Sequence, residues 1–269
     1  MLIVLLLMIL LGLAYVLSTA CRKGHPGLAE LRGWAYAHRG LHGDGVPENS
    51  MEAFRRALEG GYGVELDVHL LADGQLAVIH DSLLLRTTGA EGCVESLTAR
   101  DLPNYKLEGT DQSIPLFSQV VELFAGKAPL IVEVKSWKNN HAALCEQTCR
   151  LLDQYQVNYC MESFDPRCVH WLKKNRPDVI RGQLTENYFK SKHAKLPGIL
   201  KWALKSQVFN FLLLPDFIAY RFDDRKRLSN FLTEKLWGAQ SVAWTIKTKE
   251  DFDTALQENR IPIFEGFRP

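Results

Sequence analysis

A chain of 269 residues, 46% hydrophobic and 23% charged, has the composition of a globular protein, which excludes a disordered or collagen-like chain. Its formal net charge of +1 offers no basic surface of the kind nucleic acid requires, so no nucleic-acid partner is expected. The length suits a single (β/α)₈ barrel, typically about 250 residues. The six cysteines, Cys21, Cys93, Cys145, Cys149, Cys160 and Cys168, lack the paired short spacing of a zinc site and read as free, buried thiols.

Taken in chain order, Met1 to Ala20 carry no charged side chain and are dominated by leucine, isoleucine, valine and methionine. About 20 such residues suffice to cross a bilayer as a helix. No basic stretch precedes the apolar run, which argues for an uncleaved anchor over a signal peptide. Ala20-Cys21 hints at a lipoprotein cleavage site, but Ser18 stands where a leucine is expected there. Arg22 and Lys23 follow the run, and the positive-inside tendency places the remainder on the cytoplasmic side. The predicted organisation is a single-pass membrane anchor over 1–23, a polar linker over 24–33 and one barrel domain over 34–269.

From Trp34 onward, apolar β-branched runs alternate with amphipathic stretches. Strands are predicted at Trp34–His38, Val64–Val68, Leu76–His80, Leu130–Val134, Tyr159–Ser163, Ile180–Leu184, Phe211–Leu214, Val242–Thr245 and Ile261–Phe264. Helices are predicted at Ser50–Gly60, Ala142–Tyr155, Pro166–Asn175 and Lys249–Glu258, with starts marked by Asn49-Ser50 and Asp165-Pro166. This alternation argues for parallel βα units, hence a doubly wound sheet or a barrel. The link between the second and third strands is too short for a helical crossover, so one of that pair or a later candidate falls outside a regular barrel. Leu83 to Val120, punctuated by Pro103 and Pro115, reads as an insertion over the rim. Asn187 to Gln207 carries Lys190, Lys192, Lys195, Lys201 and Lys205 without an acidic residue. It reads as a solvated helix face or, given the anchor, a contact with an anionic membrane.

Polar residues gather at the ends of the apolar runs. His38-Arg39-Gly40 closes the first strand and His80-Asp81 the third. Glu65 and Asp67, two apart, share one face of the second strand, as Glu133 and Lys135 do in the fourth. Leu66 and Val68 suit the opposite, helix-facing side. His69 shares the parity of Asp67 and reads as structural. In a barrel, catalytic groups collect at the carboxyl ends of the strands. Hard oxygen ligands such as Glu65, Asp67 and Glu133 select calcium, magnesium or manganese. With two histidines and two cations, Arg39 and Lys135, that set suits phosphodiester cleavage.

Ala37-His38-Arg39-Gly40, Pro47-Glu48-Asn49-Ser50, Glu65-Leu66-Asp67-Val68, Val78-Ile79-His80-Asp81 and Glu133-Val134-Lys135 together resemble the glycerophosphodiester phosphodiesterase family. Asp73-Gly74, Leu85-Arg86-Thr87-Thr88-Gly89, Ser163-Phe164-Asp165 and Ala243-Trp244-Thr245 extend the likeness in the family's order. The resemblance implies a (β/α)₈ TIM barrel with a small insertion. It implies His38 and His80 as general acid and base, Glu65, Asp67 and Glu133 as ligands of a divalent ion, and Arg39 and Lys135 as the phosphate grip. It further implies Glu48 and Asn49 as flanking loop residues, with Trp244 and Phe217 as an aromatic wall for the glycerol or head group. Ser50 replaces the family's usual threonine. The end, Ile263-Phe264-Glu265-Gly266-Phe267-Arg268-Pro269, departs from the family's close, with Glu265 as a stand-in for an acidic group.

The expected substrate is a glycerophosphodiester, cut to an alcohol and glycerol phosphate. A lysophospholipid or phosphatidylglycerol head group at the membrane is the alternative, and internal attack giving a cyclic phosphate is a related route. From another class, a catalytically silent barrel acting as a membrane-bound scaffold is disfavoured by the full set of catalytic residues.

Overall fold

The structure is a computed structural model and describes residues 1–191 and 195–269; Lys192 of the basic stretch lies outside them. Nine strands form one sheet among the described residues: β1 (Tyr36–His38), β2 (Gly63–Leu70), β3 (Leu76–Val78), β4 (Leu130–Val134), β5 (Tyr159–Ser163), β6 (Arg181–Thr185), β7 (Phe217–Arg221), β8 (Gln240–Ile246) and β9 (Ile261–Phe264). Their order is β1-β9-β8-β7-β6-β5-β4-β2-β3, and a β1–β2 pairing closes the ring. Eight strands run parallel around that ring. β3 pairs antiparallel with β2, Val68 opposite Val78, so it is the member of the short-linked pair that stands outside the barrel.

Among the described residues eleven α-helices accompany the sheet: α1 (Leu2–Ser18), α2 (Leu28–Leu31), α3 (Met51–Glu59), α4 (Leu85–Thr88), α5 (Phe117–Phe124), α6 (His141–Leu152), α7 (Pro166–Asn175), α8 (Gly198–Lys205), α9 (Asn210–Leu213), α10 (Leu228–Phe231) and α11 (Lys249–Gln257). The start of α3 is set by Ser50, whose hydroxyl accepts from Ala53 N–H at 3.1 Å. Asp165 caps α7 the same way through Arg167 N–H at 2.9 Å, with Pro166 at the first turn. Each cap satisfies a backbone donor that the helix itself leaves orphaned.

Strand alternation sorts the core into two layers. Val64, Leu66 and Val68 of β2 and Leu130, Val132 and Val134 of β4 pack outward against Phe54, Phe117 and Leu144 of the helices. Inside the ring lie Tyr36, Ile131, Cys160, Leu184, Phe217, Val242 and Ile263. The insertion over the rim carries a small core of its own, including Ile79, Leu84, Val94, Leu102 and Ile114. All six thiols are free, and five are buried.

Three sequence expectations change. Phe211–Leu214 is not a strand: Asn210–Leu213 is helical, Leu214 turns left-handed at φ 44°, and the next barrel strand, β7, begins only after Pro215, at Phe217. A four-residue apolar run does not separate strand from helix, and proline cannot donate to a ladder.

The linker is not a free connector. Leu28 and Leu31 of α2 are buried with the interior residues, and Tyr36 Oη donates to Leu31 O at 3.0 Å. This segment plugs the amino-terminal mouth of the barrel. Just before it, Arg22 pairs with the buried carboxylate of Asp216 and donates to Val179 O at 3.2 Å.

The membrane-crossing helix is also corrected. α1 carries no charged side chain and has no buried residue, but it spans 17 residues. At 1.5 Å rise per residue that falls short of a hydrocarbon core of roughly 30 Å. No helix among the described residues is long and apolar enough to cross a membrane. The foot of α1 is tied to the barrel by Trp237 Nε1, which donates to Thr19 Oγ1 at 3.1 Å and to Val16 O at 3.3 Å.

Interior packing makes one position acutely sensitive. A Cβ on Gly182 of β6 would meet the Phe217 ring at 2.1 Å, and both residues are paired across β6 and β7. Gly182→Ala is expected to destabilise the fold by about 1–3 kcal/mol, read as a lower urea midpoint with an unchanged slope.

Candidate active site

Register brings the chemical groups together. His38 pairs with Glu65 across β1 and β2, Asp67 with Glu133 across β2 and β4, and Glu133 with Glu162 across β4 and β5. All point inward at the carboxyl ends of their strands, opposite the plugged mouth. One oxygen from each of Glu65, Asp67 and Glu133 lies within 4.8 Å of the others, and all three residues are buried.

The chain leaves β1 through a tight turn. Arg39 has φ 55° and donates its N–H to Glu65 O at 2.8 Å. Gly40 follows at φ 80°, and a Cβ there would meet Ala53 at 2.8 Å, so the turn packs directly on α3. Arg39 then reaches Glu48 at 3.0 Å and Asp67 at 3.5 Å. Asn49, also left-handed at φ 52°, donates from Nδ2 to Asp67 Oδ2 at 2.9 Å. Two non-glycine residues in that sparsely populated region, both holding the same carboxylate, are the kind of local strain that functional sites retain.

Lys135 sits between two acids, its Nζ 2.9 Å from Glu133 and 3.3 Å from Asp67. Burial favours the neutral form of each group, yet the charges of Lys135, His80 and Arg39 outweigh it at Asp67 and hold that carboxyl far below the usual range. Glu133 and Asp67 in turn keep Lys135 protonated against its burial. Glu65 moves the other way: burial and the negative charges of Asp67 and Glu133 raise it well above an ordinary glutamate. Glu133 is raised too, first by burial. Three crowded carboxylates face too little positive charge to be ionised together, which is the electrostatic deficit a cation fills. Oxygens within 4.8 Å of one another can share one ion at the 2.0–2.6 Å distances that magnesium and calcium take. The donor set therefore fits a divalent ion of the hard class.

Both histidines are oriented through Nδ1. His38 Nδ1 lies 2.6 Å from Glu265 Oε2, while its Nε2 faces Glu65 at 3.8 Å. His80 Nδ1 lies 2.6 Å from Asp81, and Asp81 is steadied by Arg86, which also reaches Glu48 at 2.6 Å. Burial lowers the pKa of His38 below the ordinary 6.5, partly opposed by the Glu265 hydrogen bond. The same hydrogen bond draws Glu265 down to about 2. His69 is structural, bonded to Glu95 at 2.7 Å and to His80 O at 3.3 Å.

A small cavity of about 50 Å³ touches His38, Arg39, Glu65, His80, Glu133 and Glu162 on its polar side. Phe164, Leu184, Trp244 and Ile263 form the apolar side. From His80 a larger cavity of about 670 Å³ opens under the insertion, walled by Leu83, Leu85, Val134 and Phe164. Trp244 lines the smaller cavity, with Phe164 edge-on to it at 5.8 Å. Phe217 does not. It lies at the amino end of β7, over Gly182 in the barrel interior, because inward parity alone does not tell the height of a side chain along the barrel axis.

Two acids escaped the sequence reading in these positions. Glu265 was marked only as a stand-in at an altered chain end, and the structure places it against His38. Glu162 shares the inward parity of Cys160 at the end of an apolar strand, the same signal that marked Glu133.

A parallel barrel with three clustered carboxylates, two oriented histidines and two cations at its strand ends is the framework of a phosphodiester-cleaving enzyme. The profile of the glycerophosphoryl diester phosphodiesterase family matches residues 38–264, and the chain belongs to that family. It is 29% identical over 239 residues to the glycerophosphodiester phosphodiesterase of Caldanaerobacter subterraneus, covering 82% of this chain and 88% of that one. Lysophospholipase D GDPD1 of Rattus norvegicus is 35% identical over 133 residues, 45% of this chain and 41% of that protein. Among solved structures, an Oleispira antarctica phosphodiesterase in complex with the product sn-glycerol-3-phosphate shares the fold with a TM-score of 0.69 at 19% identity, over 89% of this chain and 94% of that one. The enzyme is a glycerophosphodiester phosphodiesterase.

Proposed function

We propose that the enzyme hydrolyses a deacylated glycerophosphodiester to an alcohol and glycerol phosphate, with a divalent ion held by Glu65, Asp67 and Glu133 and with His38 and His80 exchanging protons. The observation that carries this reading is the pairing of each histidine Nδ1 with a carboxylate, at 2.6 Å in both cases, beside one cavity that also touches the acidic cluster. Tying Nδ1 fixes the ring and leaves Nε2 for the reacting oxygens. His38, largely enclosed and held neutral by its desolvation, takes the proton of the attacking oxygen. His80, at the opening to the larger cavity, returns a proton to the departing alcohol. Arg39 and Lys135 face the phosphate oxygens as charge grows on them. A bound divalent ion would supply further neutralisation of that charge. Attack by water or by a substrate hydroxyl, giving a cyclic phosphate, is separated by product analysis in ¹⁸O-labelled water.

Hydrolysis of glycerophosphocholine by the full chain is expected to stop with EDTA and to return with calcium, magnesium or manganese. Undiminished turnover after exhaustive chelation would remove the ion from this reading.

A second reading, action at a lipid surface on lysophospholipid, is favoured by α1. Its apolar side chains are exposed, and it lies beside α9, whose Phe211 and Leu212 are exposed as well. On α8, exposed Ile199 and Trp202 accompany Lys201 and Lys205, a combination suited to an anionic interface. The rat relative named a lysophospholipase D is consistent with it. In this reading α1 embeds in the membrane surface without crossing it. The full chain is then expected to sediment with vesicles containing anionic lipid, and Leu6→Lys with Leu10→Lys to release it; sedimentation indifferent to both substitutions would count against the reading.

A further inference from the structure

Glu162 has no part in the chemistry above, yet it is 1% exposed and paired in register with Glu133. Its Oε2 is buried with no hydrogen-bond partner. Lys135 answers the charges of Asp67 and Glu133, but no ion pair is made by Glu162 among the described residues. An unsatisfied buried polar group costs about 1–3 kcal/mol, more if charged, so its presence calls for a partner that arrives from outside.

The cavity says what kind. Glu162 lines the 50 Å³ space together with Phe164, Leu184, Trp244 and Ile263. It stands outside the cluster of three acids whose oxygens lie within 4.8 Å of one another, so it is not placed as another ligand of the ion. Trp244, which lines the same space, also has its Nε1 buried and without a partner. One unmet carboxyl and one unmet donor on residues lining one small, partly aromatic space match a short carbon body bearing hydroxyl groups. The space has no room for an acyl chain.

We propose that Glu162 is the residue that reads a free hydroxyl of the substrate's glycerol, with Trp244 Nε1 as its counterpart, so that the glycerol entering this cavity must be unacylated at that oxygen. The proposal rests on the glycerophosphodiester reading and adds the residue that enforces it. The larger cavity beyond His80 then receives the leaving alcohol.

The test compares Glu162→Met and Glu162→Gln in the full chain on two diesters. Glycerophosphocholine carries the glycerol hydroxyls, and bis(p-nitrophenyl) phosphate carries none. Glu162→Met is expected to raise KM for glycerophosphocholine by about 10–100-fold, the loss of a hydrogen bond to a buried carboxyl, and to affect the synthetic diester at least tenfold less. Glu162→Gln keeps an acceptor and a donor in place and is expected to recover most of the affinity. The calcium concentration for half-activation should match the wild type in both variants. Equal losses on the two diesters, a shifted calcium requirement, or an unaltered KM for glycerophosphocholine in folded Glu162→Met would each overturn the proposal. A wild-type enzyme that cleaves only the synthetic diester would sink the glycerol reading itself, and the proposal with it.

Discussion

His38→Ala lowers kcat on glycerophosphocholine by on the order of 10²–10⁴-fold, the usual contribution of a positioned proton-transfer group, while the thermal unfolding midpoint stays close to wild type. A low-dielectric pocket disfavours imidazolium, so His38 is neutral at pH 7, with its pKa below the ordinary 6.5. The carboxylate of Glu265, 2.6 Å from Nδ1, selects the tautomer with its proton on that nitrogen and leaves the Nε2 lone pair for the attacking oxygen. The neutral form is the active one, so the acid limb of kcat/KM lies below pH 6.5. Glu265→Gln removes an influence that raises the pKa of His38 and therefore moves that limb to still lower pH, with a smaller loss of kcat than His38→Ala causes. Glu265 touches no reacting atom in this scheme; it acts by positioning, and the pH profile separates that role from a merely structural one. Near-normal turnover by a folded His38→Ala enzyme would end the assignment.

That histidine was readable from the chain because it sits in a motif, whereas its partner was not. His38-Arg39-Gly40 closes an apolar run, and Glu65 and Asp67 alternate with Val64, Leu66 and Val68, so the inward face of β2 announces itself through its outward one. Parity is local information, and it carried the acidic cluster. Glu265 meets His38 only because β9 closes the ring beside β1, a contact between the two ends of the barrel that no local pattern encodes. Phe217 shows the limit from the other side: an inward aromatic was legible, but its height along the axis depends on the shear of the whole barrel. The plug formed by Leu28 and Leu31 was equally hidden, since two apolar residues in a polar stretch gain meaning only from the open mouth they fill. The Phe211 run was misread because it forms a short helix beside α1, with Phe211 and Leu212 exposed and only Leu213 buried.

Glu65→Gln is expected to abolish activation by divalent ions and, in the same protein stripped of metal, to raise the unfolding midpoint. Both effects come from one cause. Glu65 is buried among Asp67 and Glu133, and burial and repulsion push its pKa well above the normal range. A group whose folded pKa exceeds its unfolded one binds more protons when folded, so stability falls as pH rises from the unfolded value through the folded one. Above that window the charged form carries the full penalty, and glutamine, which has the shape without the charge, is free of it. The variant's advantage should therefore be largest at alkaline pH, about 2–4 °C for each kcal/mol of repulsion relieved in a protein of this size. It should disappear in acid, where wild-type Glu65 is protonated. Added calcium or magnesium should reverse the order, because the ion stabilises only the protein that binds it. Asp67→Asn makes the opposite case: Lys135 keeps Glu133 and Arg39 keeps Glu48, but both lose the carboxylate whose folded pKa lies far below the usual range, and the metal-free fold is expected to weaken by about 1–3 kcal/mol. Parallel melts of the two variants, with and without EDTA at acid and alkaline pH, read these signs directly. A Glu65→Gln protein less stable than wild type without metal at alkaline pH would mean that the acidic cluster is held by something other than the cation it is built to receive.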